Sequence, residues 1–238
     1  MEETKNTCIL LAAGKGQRLG GPVPKQYQLL SGKPLMAWSL TTFVQSPAVT
    51  DIVLVIPEGD GDYVRESILT KIPGAAEKVR ALVPGGAERY LSVGNGLSSI
   101  TWPCDYVFVH DGARPMIQEE TIERLLADAK TYGSAIAGVR SKDTVRITDE
   151  DGCGISTPDR RNVWIVQTPQ VFRKDLLDRA YEKLREEPER AKSITDDGMV
   201  VETFAGVSVH MCEASYDNLK VTTPDDLAAA QVLLSHRH

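Results

Sequence analysis

The stretch that most limits what this chain can fold into runs from Cys8 to Gln26. There the apolar run Cys8-Ile9-Leu10-Leu11 breaks into Ala12-Ala13-Gly14-Lys15-Gly16, with the cations Arg18 and Lys25 following. A short, unbroken apolar run reads as a parallel strand buried on both faces. Glycines placed directly after it let the backbone adopt φ > 0 and turn N–H groups toward anionic oxygens. Arg and Lys add the formal charge that amides lack. The stretch predicts a polyphosphate cradle at the carboxyl end of a first strand.

Beyond this stretch, strand signals alternate with helix-length segments, the pattern of a parallel sheet covered on both faces. Buried strands are expected at 51–56, 78–83, 105–109 and 134–139, with a return to the sheet at Trp164-Ile165-Val166 and a late strand at 207–212. Helices are expected from Pro34 to about Gln45, up to about Thr70, and over 87–97, 118–132 and 173–186. Thr195-Asp196-Asp197 reads as a helix cap, and Thr223 with Pro224 opens a last helix as N-cap and first helical residue. The polar stretch at about 140–163 reads as a projecting β-hairpin that buries little surface alone, hence a dimerisation arm. The expected fold is α/β, a single Rossmann-like domain over 1–238 with a mostly parallel sheet, helices on both faces and this arm.

Composition narrows the partners. The 27 basic and 33 acidic residues leave a net charge of −6, which argues against a broad nucleic-acid surface and makes any anion site a local one. The four cysteines are scattered, without the paired spacing of a zinc or redox site. No stretch reaches the ~18 apolar residues of a membrane span, and the N-terminus lacks the apolar core of a signal peptide. A cytoplasmic protein without a membrane partner is expected.

Two common phosphate motifs do not fit. A Walker loop needs Ser or Thr after Gly-Lys, where this chain has Gly16, and the dinucleotide fingerprint needs a spacing that Gly14, Gly16 and Gly20 miss by one residue. The fuller set is Leu11-Ala12-Ala13-Gly14-x-Gly16-x-Arg18, Pro24-Lys25-Gln26, Gly85-Gly86-x-x-Arg89-x-x-Ser92, His110-Asp111-Gly112-Ala113-Arg114-Pro115, Lys142-Asp143-Thr144, Asp159-Arg160, Gln167-Thr168-Pro169-Gln170, Thr195-Asp196-Asp197 and Asn218-Leu219-Lys220-Val221-Thr222. In this order it resembles the 2-C-methyl-D-erythritol 4-phosphate cytidylyltransferase family of the non-mevalonate isoprenoid pathway. The resemblance spans essentially the whole chain.

The resemblance implies transfer of CMP from CTP to the phosphate of the methylerythritol phosphate, with release of pyrophosphate. It implies Arg18 and Lys25 as catalytic groups at the α-phosphate, with Arg160 and Lys220 gripping the acceptor phosphate. Ala12, Ala13, Gly14, Lys15, Gly16, Gly85, Gly86, Ala87 and Ser92 would hold the nucleotide. Asp111, Arg114 and Thr144 would complete the acceptor site. Mg2+ would be held mainly by the triphosphate, with Asp111 as its protein contact. A homodimer would form through the arm, and Thr144 and Arg160 would act on the other chain's substrate. The nearest rival is ribitol 5-phosphate cytidylyltransferase, followed by another sugar-phosphate nucleotidyltransferase and by a non-catalytic nucleotide binder.

The chemistry of such a transfer needs no general base, because a phosphate monoester with a second pKa of about 6 is already an oxyanion at neutral pH. His110 therefore reads as structural, although it precedes an acid at a strand end. Trp38, Trp102 and Trp164 read as core or interface.

Overall fold

The computed structural model describes residues 4–14, 16, 19 and 23–236. In chain order its strands are β1 (Asn6–Leu11), β2 (Leu29–Leu30), β3 (Lys33–Pro34), β4 (Asp51–Ile56), β5 (Val79–Pro84), β6 (Tyr106–Asp111), β7 (Ser134–Arg140), β8 (Ile147–Thr148), β9 (Gly154–Ser156), β10 (Trp164–Arg173) and β11 (Met211–Glu213). The α-helices are α1 (Leu35–Gln45), α2 (Gly61–Tyr63), α3 (Ala75–Lys78), α4 (Arg89–Ser98), α5 (Glu119–Tyr132), α6 (Lys174–Glu186), α7 (Asp197–Val200) and α8 (Pro224–Ser235).

One seven-stranded sheet organises the molecule in the order β11-β7-β10-β6-β1-β4-β5. β1 pairs in parallel with β4 and β6, and β4 with β5, while β10 runs antiparallel to both β6 and β7. The chain leaves β1 toward β4 and β5, then returns to place β6 on the other side of β1. That reversal opens a crevice at the carboxyl ends of β1 and β6, where ligands of such sheets bind.

The apolar runs are continuous because both faces are covered. Along β1, Cys8 and Leu10 pack with Met36, Leu40 and Phe43 of α1 and Ile122 and Leu125 of α5. Ile9, pointing the other way, joins Val93 and Leu97 of α4 and Leu177 and Tyr181 of α6. Each such side chain contributes about 1.5–3 kcal/mol on full burial, and shifting β1 by one residue would exchange the side chains packed in its two clusters. Gly96 is required at one contact, since a Cβ there would lie 2.7 Å from Ile9 Cγ2.

The antiparallel direction of β10 is not encoded in its apolar content, and the late strand is only Met211–Glu213, shorter than the expected 207–212. The polar stretch forms the two-stranded β8–β9 pair, with Ile147 and Ile155 exposed at its surface. Its root is closed by Ser141 N–H donating to the Val163 carbonyl (2.9 Å) and by the Arg140 guanidinium over the Trp164 ring. Among the described residues no helix is long and apolar enough to cross a membrane.

Candidate active site

The loops after β1, β5 and β6 converge on one cavity of about 610 Å³, lined by Ala12, Ala13, Gly14, Gly16, Lys25, Gln26, Gly86, Ala87, Arg89, Ser92, Asp111, Lys220 and Thr222 among others. That volume is in the range of small-molecule sites. Its walls extend the sheet's own hydrogen bonding. Ala12 N–H donates to Val55 O (2.7 Å), Gly85 N–H to Ile56 O (2.9 Å) and Gly112 N–H to Leu11 O (2.8 Å).

The glycines have distinct reasons. Gly16 sits at φ +59°, and a Cβ there would lie 2.5 Å from Lys25 Cβ; the glycine lets Lys25, at the start of a short 3-10 turn, close against the first loop. Gly85 packs on Ala13, with 2.3 Å left for a Cβ, and so shapes the wall from behind. The Ser92 hydroxyl accepts from Gly86 N–H (3.0 Å) and donates to Glu88 O (3.2 Å), which ties the second glycine loop to α4.

At the far wall Asp111 is the centre of a charge cluster. Its Oδ2 accepts from Lys220 Nζ at 2.8 Å and has Arg114 Nε at 3.9 Å; its Oδ1 faces Arg89 Nε at 3.4 Å. Burial alone would raise this carboxyl, but Arg89 and Lys220 hold it well below the usual carboxylate range, so it is ionised. Arg89 also reaches Asp197 Oδ2 at 2.8 Å, and the fully buried Asp197 accepts from the Tyr181 hydroxyl at 2.6 Å.

Lys220 is placed by contacts from distant segments. The Asn218 amide donates to Gln167 Oε1 and to the Thr168 carbonyl (2.9 Å each), Arg114 Nη1 donates to Asn218 O (2.8 Å), and Val221 N–H donates to Ala113 O (2.8 Å). A capping box then starts α8. Thr223 Oγ1 accepts from Asp226 N–H, and Asp226 Oδ2 accepts from Thr222 and Thr223 N–H.

His110 is fully buried and burial pushes it down to about 3. Thr168 Oγ1 accepts from Asp111 N–H, which leaves its own proton for His110 Nδ1; the ring's Nε2–H then donates to Arg114 O. The imidazole is a neutral strut that ties Thr168 of β10 to the Arg114 carbonyl, in keeping with its structural reading.

The expected site residues thus divide. Ala12, Ala13, Gly14, Gly16, Lys25, Gly86, Ala87, Ser92, Asp111 and Lys220 share the cavity. Lys15 and Arg18 lie outside the described residues. Gly85 supports the wall, and Arg114 is buried behind Asp111 with its guanidinium turned to the Asn218 carbonyl. Thr144 and Arg160 are exposed on the arm, where Arg160 Nη1 reaches Lys142 O (3.4 Å), and neither lines this chain's cavity. Thr195-Asp196-Asp197 is more than a cap. Asp196 caps α7 by accepting from Met199 N–H (2.8 Å), while Asp197 is the buried partner of Arg89.

Arg89 was absent from the expected site. The signal available was its position one helical turn before Ser92, which puts both on the face of α4 that meets the cavity. Among the described residues no group of three or more His, Cys, Asp or Glu side chains gathers as a metal cage.

Comparison with known proteins points to one family. The family model described as 2-C-methyl-D-erythritol 4-phosphate cytidylyltransferase matches residues 7–236. A protein of that name from Lachnoclostridium phytofermentans is 44% identical over 230 residues, 97% of this chain and 96% of its own. One from Alkaliphilus oremlandii is 40% identical over 234 residues, 98% of this chain and 97% of its own. The crystal structure of a 4-diphosphocytidyl-2C-methyl-D-erythritol synthase from Anaerococcus prevotii superposes with a TM-score of 0.84 at 31% identity, covering 98% of this chain and 99% of that one.

Proposed function

The chain belongs to the 2-C-methyl-D-erythritol 4-phosphate cytidylyltransferase family, and on that premise we propose how its cavity divides between nucleotide and acceptor. The reaction is transfer of CMP from CTP to the phosphate of 2-C-methyl-D-erythritol 4-phosphate, giving 4-diphosphocytidyl-2-C-methyl-D-erythritol and pyrophosphate. The single observation that carries the division is that one cavity joins two glycine loops with Lys25 on one side to the Asp111–Lys220 pair on the other.

The nucleotide lies along Ala12–Gly16 and Gly86–Ser92, where backbone N–H groups and small side chains leave room for phosphate and pyrimidine. Lys25 faces the α-phosphate, and the family resemblance assigns Arg18 a role at the same phosphate. The acceptor phosphate is held by Lys220, and Asp111 accepts hydrogen bonds from the polyol hydroxyls. Around Asp111 and Asp197 stand Lys220, Arg89 and Arg114, so the far wall keeps net positive charge toward a dianion. At an effective dielectric of ~20, a unit charge pair at 4 Å is worth roughly 4 kcal/mol. Two or three such contacts that strengthen as charge builds up on the α-phosphorus account for a large acceleration without a base. The acceptor oxyanion attacks in line, and pyrophosphate leaves on the opposite side.

The donor set fits a cation carried by the substrate more than one held by the protein, since Mg2+ commonly binds through one or two carboxylates plus phosphate oxygens. Asp111 would be its protein contact, and the ion would neutralise charge on the departing pyrophosphate.

The arm makes the molecule a homodimer in this reading. Support comes from the exposure of Ile147 (50%) and Ile155 (67%) and from Thr144 and Arg160 standing outside their own chain's cavity. Each arm then supplies those two residues to its neighbour's acceptor phosphate. CTP as a substrate supports the expected cytoplasmic location.

The test is pyrophosphate release with CTP and, in parallel, methylerythritol phosphate or ribitol 5-phosphate. Turnover with the first acceptor and at least 100-fold lower kcat/KM with the second is expected. Turnover with ribitol phosphate alone would move the acceptor assignment, and release with neither would end it.

A further inference from the structure

We infer that Arg89, anchored from behind by Asp197 and Tyr181, is a positioning residue that aims the Asp111–Lys220 pair at the acceptor. The inference rests on the reading of that pair as the acceptor half of the cavity.

The groups form one chain of alternating charge. The Tyr181 hydroxyl donates to Asp197 Oδ1 (2.6 Å), Asp197 Oδ2 meets Arg89 Nη1 (2.8 Å), Arg89 Nε faces Asp111 Oδ1 (3.4 Å), and Asp111 Oδ2 accepts from Lys220 Nζ (2.8 Å). Its two ends differ most in exposure. The Lys220 side chain is 40% exposed, Asp111 10%, Arg89 26% and Asp197 0%. Only the Lys220 end is open enough to meet a ligand freely, and the other end is fixed in the core between α6 and α7.

Two features point to positioning and not to fold support alone. A buried carboxylate such as Asp197 is strongly unfavourable unless paired and hydrogen-bonded, and here its partners are the tyrosine and an arginine that also reaches the cavity. Arg89 Nη2 is buried and makes no hydrogen bond. Here the guanidinium is held where it spans two carboxylates at the expense of a third contact. The fork shape of the guanidinium makes the span possible, whereas a lysine ammonium at the same position could serve one carboxylate but not both. Without Arg89, Oδ1 of Asp111 loses its cationic partner, Asp111 rotates toward Lys220, and the ammonium is drawn away from the cavity.

The experiment measures KM for each substrate and kcat in Arg89→Lys, Tyr181→Phe and Lys220→Met, and in the pair Arg89→Met with Asp197→Asn. The pair removes both buried charges and so keeps the fold testable if Arg89→Met alone does not fold. Thermal unfolding of each is followed alongside. Arg89→Lys and the paired variant are expected to raise acceptor KM at least tenfold with CTP KM within twofold, and Tyr181→Phe to raise acceptor KM about threefold. Combined with Lys220→Met, the Arg89→Lys effect is expected to shrink to less than threefold, because the group it positions is gone. Equal effects on both KM values, or an undiminished Arg89→Lys effect in the Lys220→Met background, would overturn the inference alone. An unchanged acceptor KM in Lys220→Met itself would overturn the acceptor-half reading and the inference with it.

Discussion

Replacing Gly16 with Ala probes the nucleotide loop through a single methyl group. Gly16 lies at φ +59°, so an alanine is strained by about 1–2 kcal/mol in the left-handed region. Its Cβ would also stand 2.5 Å from Lys25 Cβ, whereas carbon atoms rest at about 3.5–4.0 Å; relief requires the Lys25 backbone to retreat by roughly 1 Å. A misplacement of that size can cost on the order of 100-fold in rate. Gly16 itself belongs to none of the core clusters, so for a chain of this length the strain lowers Tm by no more than about 2–8 °C. The assay is steady-state pyrophosphate release alongside thermal unfolding, for Gly16→Ala, Lys25→Ala and the double variant. A kcat lower by about two orders of magnitude with a folded protein is expected, Lys25→Ala at least as low, and the double variant no worse than Lys25→Ala. Near-normal kcat in Gly16→Ala, or losses that multiply in the double variant, would show that the loop does not act through Lys25.

Two more outcomes follow from the geometry. His110 stays unprotonated in the native chain down to about 3 while its unfolded value is 6.5; as pH falls below 6.5 the unfolded chain binds the extra proton, so this group makes stability fall with pH between 6.5 and 3, by up to roughly 1.4 kcal/mol per pH unit. Urea unfolding at pH 7, 6 and 5 should show that slope, and His110→Gln should flatten it; an unchanged slope would mean that another group is responsible. In the arm, Ile147→Lys with Ile155→Lys removes from each subunit two exposed apolar side chains worth about 1.5–3 kcal/mol each if buried between subunits, so sedimentation should show dimer association weakened by at least about 10²-fold. A wild-type chain that is already monomeric at micromolar concentration would contradict the arm's role.

What could be read from the residues was largely what is local. The run Cys8–Leu11 followed by glycines locates β1 and its loop because period, composition and turn chemistry agree there. The crevice followed from strands ending in Gly-rich or charged loops. Direction was harder. Val171 and Phe172 are as buried in an antiparallel strand as they would be in a parallel one, so β10 gave no sign of its orientation. The acceptor side was the least legible, because its geometry comes from pairings between remote segments. Arg114 looks like a ligand in sequence, yet the Asn218 carbonyl draws it inward. Asp197 looks like part of a cap, yet α4 brings Arg89 over it, and only folding reveals that pairing. Lys220 could be singled out by resemblance alone, since nothing near it in sequence announces that Gln167 and Thr168 will hold Asn218.

In the proposed mechanism one cavity lets the acceptor phosphate attack CTP directly, with position and fixed charge in place of a protein nucleophile. The stereochemical course with the Sp isomer of cytidine 5′-O-(1-thiotriphosphate) and methylerythritol phosphate tests it, because a single in-line displacement inverts the α-phosphorus and two successive displacements restore it. A product of inverted configuration is expected; retention would require a cytidylylated side chain as an intermediate and would contradict direct attack.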